Sequence, residues 1–324
     1  MKKEKKSFLL FYNKFGILFI LIGLIIICAV ASPVFLSSSN IVNLLSQIAV
    51  VTIISCGITM LIIAGQTDLS GGSTVALTGC VCVGTFKQLH LAGMGDVPAG
   101  IFAVLAAMLI GMLVNGLSGI IIAKFHAPAF IVTLAMMQAG RGACYLYTGG
   151  LPIYDIGNIS ILGQGKIGGF LPISVIIMIL IIIISVIILN KMRMGRYLYA
   201  VGGNEDAAKA AGINVGNTIT KAFLIHGAMI GVAGVLFMTR LNSGQPSEAV
   251  GLEFDAITAA IIGGASLAGG VGTIPGTIVG SMIIGIITNI LTLKSVQSYW
   301  QMVITGVIIV LAVILDIKTK GRKQ

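Results

Sequence analysis

Charged residues are scarce in this chain of 324 residues, and that scarcity limits what the protein can be. Only 9% of its residues are Asp, Glu, Lys or Arg, 57% are hydrophobic, and the mean hydropathy is +1.07. Soluble domains carry about 25% charged residues, so 20 basic and 10 acidic side chains cannot cover a water-soluble globule of this size. The composition excludes a cytoplasmic enzyme, an intrinsically disordered chain and a secreted disulfide scaffold.

Residue types that build metal, redox and catalytic centres are also few. The five cysteines lie in apolar runs without a Cys-x-x-Cys pair, and His90, His126 and His226 are far apart. Such cysteines typically behave as small buried hydrophobic residues. The sequence has no GxxxxGK(S/T), HExxH or GxSxG motif and a single Trp, which argues against nucleotide binding, hydrolase chemistry and base stacking. We expect no metal, no cofactor and no catalytic residue.

Long hydrophobic runs fill most of the chain instead. Segments able to cross about 30 Å of hydrocarbon predict an all-α polytopic transmembrane bundle of about ten helices, forming one domain over residues 1–324. The predicted spans are 15–32, 41–65, 69–86, 99–123, 128–148, 172–190, 218–240, 255–270, 274–293 and 299–317. Glycines leave the boundaries around 69–86 and 255–280 least defined. The first run also fits a signal peptide, but its length favours a retained helix.

The basic residues are distributed unevenly between the two sides that these spans define. With the N-terminus inside, 15 basic residues lie inside, in the tails 1–14 and 318–324, the loop 191–217 and the short segments around Lys124 and Lys221. Lys87, Lys166, Arg240 and Lys294 lie outside, and Arg141 falls within a span, with a partner that the sequence does not identify. Because cytoplasmic loops carry excess Lys and Arg, we predict that both termini are cytoplasmic. The net charge of +10 then needs no nucleic acid to explain it.

Small and polar residues interrupt two hydrophobic runs, at 65–72 and 263–270. Paired interruptions in the two halves of a chain are typical of a transporter's central site, although a chain with 43 glycines can also produce them by chance. Around the first break lie amide, carboxylate and hydroxyl groups suited to a neutral polyhydroxylated solute: Gln66, Thr67, Asp68, Ser70 and Ser73. A carboxylate costs at least about 2.5 kcal/mol deep in lipid. Asp68 therefore faces protein, water or solute, or caps the third span, as Ser70 also could.

Glycines spaced four residues apart form a second pattern. Gly272, Gly276 and Gly280 form one series, and Gly227 and Gly231 form another. Small residues on one helix face allow close helix packing, which we expect here, with a moving gate as the alternative. Pro275 indicates a kink or a helix start.

The loop 191–217 contains residues typical of a short helix. Asn204 is a favourable N-cap, Glu205 and Asp206 suit the positive end of the helix dipole, and Gly212 is placed to end the helix. The alanines between them favour helix. We predict a two-turn helix shaped to enter a groove in another protein, with a solvated connector as the alternative.

The same loop resembles the cytoplasmic motif of ribose-type ABC sugar importer permeases. The residues that carry the resemblance are GRYLYAVGGNEDAA at 195–208 and GINV at 212–215. Three further stretches match in order: TDLS at 67–70, SGQP at 243–246 and GGASLAGGVGT at 263–273. The chain departs from the family pattern with Gln-Thr at 66–67 and Gly-Gly at 71–72, in the segment that would identify the sugar.

The resemblance implies three partners: a second permease subunit, identical or different, a cytoplasmic ABC ATPase that hydrolyses ATP, and an extracytoplasmic sugar-binding protein. It also implies that segment 67–70 lies near the translocation path. The residues expected to couple the chain to the ATPase are Gly195, Arg196, Gly203, Asn204, Glu205, Asp206, Ala207, Ala208 and Gly212.

The predicted function is import of a ribose-like pentose or related monosaccharide by alternating access, with the chain in the cell membrane. The binding protein is expected to dock on the outer loops around 154–166 and 242–253. The alternative is an ATPase-independent secondary carrier or facilitative channel for a small polar solute. That alternative would rely on Asp68 and Arg141 as coupling charges.

Overall fold

A computed structural model describes the backbone of residues 2–320 and the side chains of residues 16–314 and 316. The basic side chains in the predicted tails 1–14 and 318–324 lie outside the described side chains. Within the described part the chain is almost entirely helical. Its helices are α1 (Lys2–Ala31), α2 (Ser38–Ile63), α3 (Gly71–Leu91), α4 (Asp96–Phe125), α5 (Ala129–Thr148), α6 (Ile161–Gln164), α7 (Ile173–Asn190), α8 (Arg193–Gly203), α9 (Glu205–Ala210), α10 (Val215–Leu241), α11 (Leu252–Ile262), α12 (Ile274–Leu293) and α13 (Ser298–Lys320).

Six helices of the described chain are long and apolar enough to cross a membrane, namely α2, α4, α5, α7, α10 and α12. Shorter apolar stretches lie at Gly16–Ala31 and Ser298–Ile314. Helices α4 and α7 expose large aliphatic side chains such as Leu109, Leu113 and Ile183. A polytopic all-α membrane protein explains this exposure, because lipid rather than water then covers these side chains.

Each predicted span overlaps one helix, but the span 255–270 was wrong as a continuous crossing. Helix α11 ends at Ile262, and Gly264 turns the chain with φ of +89°. Eleven residues of helix cover about 16 Å, roughly half the hydrocarbon thickness. Pro275 lies in the first turn of α12, where Thr273 caps the helix, so it marks a helix start rather than a kink.

Helix α10 is the centre of the bundle and contacts α2, α3 and α4 through glycines. A Cβ at Gly227 would overlap the carbonyl oxygen of Gly111 in α4, and a Cβ at Gly231 would overlap the α4 backbone at Met108. Gly234 packs in the same way against Val75 and Thr78 of α3. The α10 main chain therefore lies directly against its neighbours, as small residues allow in membrane helices.

The loops gather at two ends of the bundle. At the first, called here the α9 end, segments 65–66, 122–129 and 205–219 line a cavity of about 660 Å³. The other, the hairpin end, holds the short antiparallel pair β1 (Lys166–Ile167) and β2 (Leu171–Pro172) and a 3-10 turn at Gly157–Ser160. There the Lys87 Nζ donates to the Tyr154 carbonyl at 3.0 Å, and Ile153 bridges to Gly244. Loops predicted to share a membrane side thus contact one another.

Candidate functional site

The polar break between α2 and α3 is folded around the carboxylate of Asp68. Its Oδ1 accepts the backbone N–H of Ser70 at 2.8 Å and the Ser70 hydroxyl at 2.6 Å, and Asp68 is completely buried. An aspartate that bonds the backbone two residues ahead closes a tight turn. Ser70 occupies the N-cap position of α3 without a side-chain cap bond. Asp68 therefore shapes the turn, and neither side chain acts as the conventional N-cap.

The second carboxylate oxygen of Asp68 contacts a histidine of α10. Asp68 Oδ2 and His226 Nε2 lie 3.1 Å apart, and both side chains are 0% exposed. Because an ionised carboxylate has no proton to donate, His226 Nε2 is the donor. The other face of the pair is α2, where a Cβ at Gly57 would overlap His226 Nδ1. Three elements meet at this ring: the 64–70 segment, α2 and α10.

Sequence analysis did not find this pair, because 158 positions separate the two residues. The available signal was a general one. Ionisable groups at membrane depth pair with one another or with backbone carbonyls, so Asp68, between two predicted spans, and His226, within one, were candidates for each other among several such groups.

The predicted pathway residues differ in accessibility. Gln66 and Thr67 are partly exposed, and Gln66 lines the 660 Å³ cavity at the α9 end. Asp68, Ser70 and Ser73 are buried, and the Ser73 hydroxyl donates to the Ser70 carbonyl at 2.8 Å. The structure thus brings the five together in one segment, with only its first part open to the cavity.

A second carboxylate reaches the same break from α11. Glu253 is 4% exposed and packs against Gly71 and Gly72, where a Cβ at Gly72 would overlap its Oε2. Its Oε2 has no hydrogen-bond partner among the described residues. Sequence analysis had placed Glu253 in an outer docking loop, which is corrected here: its burial makes it unavailable to a partner protein.

The partner of Arg141 is the backbone of the segment before α11. Its guanidinium Nη1 donates to the carbonyl oxygens of Pro246 at 2.5 Å and Glu248 at 2.8 Å. The segment 242–251 is thereby held against α5 and α3, which explains how Glu253 arrives beside Gly72.

The predicted short helix of the 191–217 loop is present as α9. Asn204 Oδ1 accepts the backbone N–H of Ala207 at 2.9 Å, and Gly212 follows the helix with φ of +81°. Lys209 Nζ donates a hydrogen bond to Glu205 Oε1 at 2.7 Å, and this bond raises the pKa of Lys209. Of the predicted coupling residues, Arg196, Gly203, Asn204, Glu205, Asp206, Ala207 and Gly212 are exposed, whereas Gly195 and Ala208 are buried.

Helix α8, which sequence analysis did not predict, joins α9 to both polar breaks. A Cβ at Gly202 would overlap the carbonyl oxygen of Ile63, the last residue of α2. The same carbonyl accepts the Gly270 N–H at 2.8 Å, and the Tyr199 hydroxyl donates to the Gly272 carbonyl at 2.7 Å. The α2 end and the 263–273 segment therefore meet on one face of α8.

The predicted packing glycines lie at close helix contacts. Gly227 and Gly231 face α4, as described above, while Gly280 packs against Ala259 and Gly276 against Gly263. Gly272 lies beside Ile63. Among the described side chains, no three His, Cys, Asp or Glu residues form a group that could hold a metal ion.

Comparison with known proteins shows that the chain is similar to permease components of transport systems. Residues 40–313 match the family model described as branched-chain amino acid transport system / permease component. The ribose import permease protein RbsC of Haemophilus influenzae is 39% identical over 302 residues, covering 91% of this chain and 90% of that protein. RbsC of Escherichia coli strain K12 is also 39% identical, covering 92% of each chain. The galactose/methyl galactoside import permease protein MglC of the same strain is 35% identical and covers 99% of each chain. No solved structure matches significantly.

Proposed function

We propose that this chain, which belongs to the family of branched-chain amino acid transport system permease components, carries a simple sugar into the cell. It is a multi-pass protein of the cell inner membrane and the permease subunit of an ABC importer. The family title refers to amino acids, whereas the relatives covering over nine-tenths of the chain are named for ribose and galactose import. A ribose-like pentose or related monosaccharide is therefore the proposed solute.

The chemistry of the first break supports a neutral solute. Both carboxylate oxygens of Asp68 are engaged, one by Ser70 and the other by His226, so neither is free to bind a solute. The remaining groups, Gln66, Thr67 and Ser73, are uncharged hydrogen-bonding side chains. Sugar hydroxyl groups both donate and accept hydrogen bonds, and such groups match them without demanding a counter-charge. We assign Gln66, Thr67, Asp68, Ser70 and Ser73 to the pathway on this basis.

The observation that carries the proposal is the position of α8 and α9. Exposed α9 presents Asn204, Glu205 and Asp206, and α8 holds the α2 end and the 263–273 segment. A force applied to this exposed helix therefore reaches both polar breaks through direct main-chain contacts. This arrangement suits docking of an ABC ATPase at the α9 end.

The proposed assembly follows from that docking. The ATPase binds the exposed coupling residues Arg196, Gly203, Asn204, Glu205, Asp206, Ala207 and Gly212, which the buried Gly195 and Ala208 hold in place, with the α9 end and both termini in the cytoplasm. A sugar-binding protein docks at the hairpin end, on 154–166 and 242–251. A second permease subunit, the same chain or a related one, completes the pathway. Residues 1–324 act as one domain that alternates between outward and inward access, and ATP is hydrolysed by the partner.

Reconstitution in lipid vesicles tests the proposal. The chain is co-purified with its partner ABC ATPase, and ATP-dependent uptake of labelled ribose and galactose is measured in the presence of the sugar-binding protein. Replacing residues 204–211 by a Gly/Ser linker is expected to abolish uptake and leave membrane insertion intact. A matched control replaces the exposed turn 92–95 at the hairpin end in the same way. Persistent uptake with the 204–211 linker would refute the coupling role, and robust uptake by the chain alone would favour a secondary carrier.

A further inference from the structure

Helix α10 physically connects the exposed α9 to the buried carboxylate of the first break. It begins at Val215, directly after the turn that follows α9, and it runs unbroken to Leu241. The Asn214 side chain caps its first turn by accepting the Asn217 N–H at 2.9 Å. His226 lies eleven residues into the helix, about 16 Å along its axis at 1.5 Å per residue. A rigid helix of this length transmits a displacement of its first turn to His226.

His226 in turn contacts the residue that defines the start of α3. Its Nε2 bonds one oxygen of Asp68, and the other oxygen holds the backbone N–H of Ser70, immediately before Gly71. All three side chains in this chain of contacts are buried, so water does not substitute for any of them. A shift of His226 must therefore move Asp68 or break its hydrogen bond.

The space around the imidazole leaves it no other position. Gly57 of α2 lies so close that a Cβ there would overlap Nδ1, and Nδ1 has no hydrogen-bond partner among the described residues. A buried ring nitrogen without a partner is unfavourable. The ring orientation is therefore set by Asp68 on one side and by close packing against α2 on the other.

We propose that His226 is a positioning residue that transmits movement of α9 to the start of α3, and so couples ATP hydrolysis to opening of the polar break. The inference rests on the proposed function, because it requires an ATPase at the α9 end. His226 touches neither sugar nor nucleotide in this role, and it acts through Asp68. The contact between His226 and Asp68 links movement at the ATPase to movement at the start of α3. Without this contact both regions stay folded but no longer move together.

The test is the number of ATP molecules hydrolysed per ribose transported by the reconstituted complex. His226→Leu removes the donor, whereas His226→Gln keeps an N–H at nearly the same position. We expect His226→Leu to raise the ATP-to-ribose ratio about tenfold, within the range for loss of one coupling contact. His226→Gln should stay close to the wild type. Because the partner hydrolyses ATP, both activities are measured on intact purified complexes, so that hydrolysis without folded permease does not enter the ratio.

Two further variants make the result specific. Gly57→Ala displaces the ring without changing either partner and should also raise the ratio, whereas Gly84→Ala, whose Cβ would overlap Tyr147, is the matched overpacking control. Thr239→Val removes a buried hydroxyl of α10 that bonds only carbonyl oxygens of its own helix, and it should leave the ratio unchanged.

The outcomes separate the two proposals. A wild-type ratio in His226→Leu, or an equal rise in His226→Gln, overturns the role of His226. If His226→Leu does not accumulate in the membrane, Gly57→Ala decides: a raised ratio supports the link and a normal ratio refutes it. A wild-type complex whose ATP hydrolysis is not stimulated by ribose and the binding protein overturns the proposed function itself, and the link with it.

Discussion

Asn40 and Asn289 exchange two hydrogen bonds across the interface between α2 and α12. The Asn40 Nδ2 donates to Asn289 Oδ1 at 3.0 Å, and Asn289 Nδ2 donates to Asn40 Oδ1 at 2.9 Å, with both residues buried. Separated by 249 positions, they join the second and the penultimate predicted spans. A reciprocal amide pair fixes the register of two helices because neither partner can slide without losing both bonds.

Replacing one partner should therefore cost more than replacing both. Asn289→Leu leaves the Asn40 amide without its partner and should destabilise the protein by about 1–2 kcal/mol. The double variant Asn40→Leu/Asn289→Leu should recover part of that loss, because it removes both side-chain amides and leaves only the Phe35 carbonyl, which accepts from Asn40 Nδ2 at 2.8 Å, without its donor. Reversible unfolding in mixed detergent micelles measures both. Thr288→Val, which removes a hydroxyl bonded only to its own helix at Ile284, is the control, and additive losses in the double variant would contradict the pairing.

Adjacent glycines of α8 should respond oppositely to the same change. A Cβ at Gly202 would overlap the Ile63 carbonyl and approach Gly270, whereas a Cβ at Gly203 would meet nothing within 4 Å. Gly202→Ala should lower stability by about 1–3 kcal/mol, the usual cost of overpacking, and should reduce ATP-dependent ribose uptake. Gly203→Ala should leave stability unchanged, and the two variants are compared on stability alone because Gly203 belongs to the proposed ATPase-binding residues. Equal effects of the two substitutions would show that α8 does not press on the α2 end.

The titration of Lys209 should depend mainly on Glu205. The hydrogen bond that Lys209 donates to Glu205 raises the pKa of Lys209 above its ordinary value. The charge of Asp206 raises this pKa by a smaller amount. Because the folded pKa is raised, the ion pair contributes below the ordinary lysine pKa and is lost as pH rises through the folded one. An NMR titration of the Lys209 side chain should show a lower midpoint in Glu205→Gln and a smaller change in Asp206→Asn. The reverse order would contradict the observed contact.

Arg141 should control the segment before α11 through geometry rather than charge. One guanidinium nitrogen, Nη1, donates to the carbonyl oxygens of both Pro246 and Glu248, and a lysine ammonium on its more flexible stem is not held in the same position by a planar group. Arg141→Lys and Arg141→Met should both increase proteolysis of 246–251 in the folded protein. Binding-protein-stimulated ATP hydrolysis should fall with it. Gln138→Ala, on the exposed face of the same helix, is the control. Normal protection in Arg141→Lys would mean that a single positive charge suffices.

Most of the fold could be predicted from the sequence because each membrane-spanning helix needs a long run of apolar residues. Apolar length located the helices that overlap the ten predicted spans, and the predicted N-cap Asn204 lies where the structure begins α9. Average hydropathy over 255–270 predicted one continuous span, although the glycines at 263–264 and 269–270 already interrupt the run beyond the end of α11. The local conformation of Gly264, rather than average hydropathy, decides that boundary.

The site was predicted less completely, and the reason is distance along the chain. Polar residues at 66–73 were recognisable as a group because they are contiguous. The partners that determine their arrangement, His226 on α10 and Glu253 on α11, are brought in by tertiary packing. Arg141 was recognisable in the sequence as an unusual charge within a span. Its partners are backbone carbonyl groups, which every residue carries, so the sequence could not identify them.

The close main-chain contact between α4 and α10, called here the seam, limits how the sequence of this chain can evolve. At Gly111 and Gly227 the two main chains touch, so each position excludes even a methyl group. Every single-base missense change in a glycine codon introduces at least a Cβ. No single-base missense change at either codon is therefore neutral. These glycines can be replaced only if α4 and α10 move apart at the same time. Adaptation to a new solute must therefore proceed elsewhere in the bundle, around a seam that stays fixed.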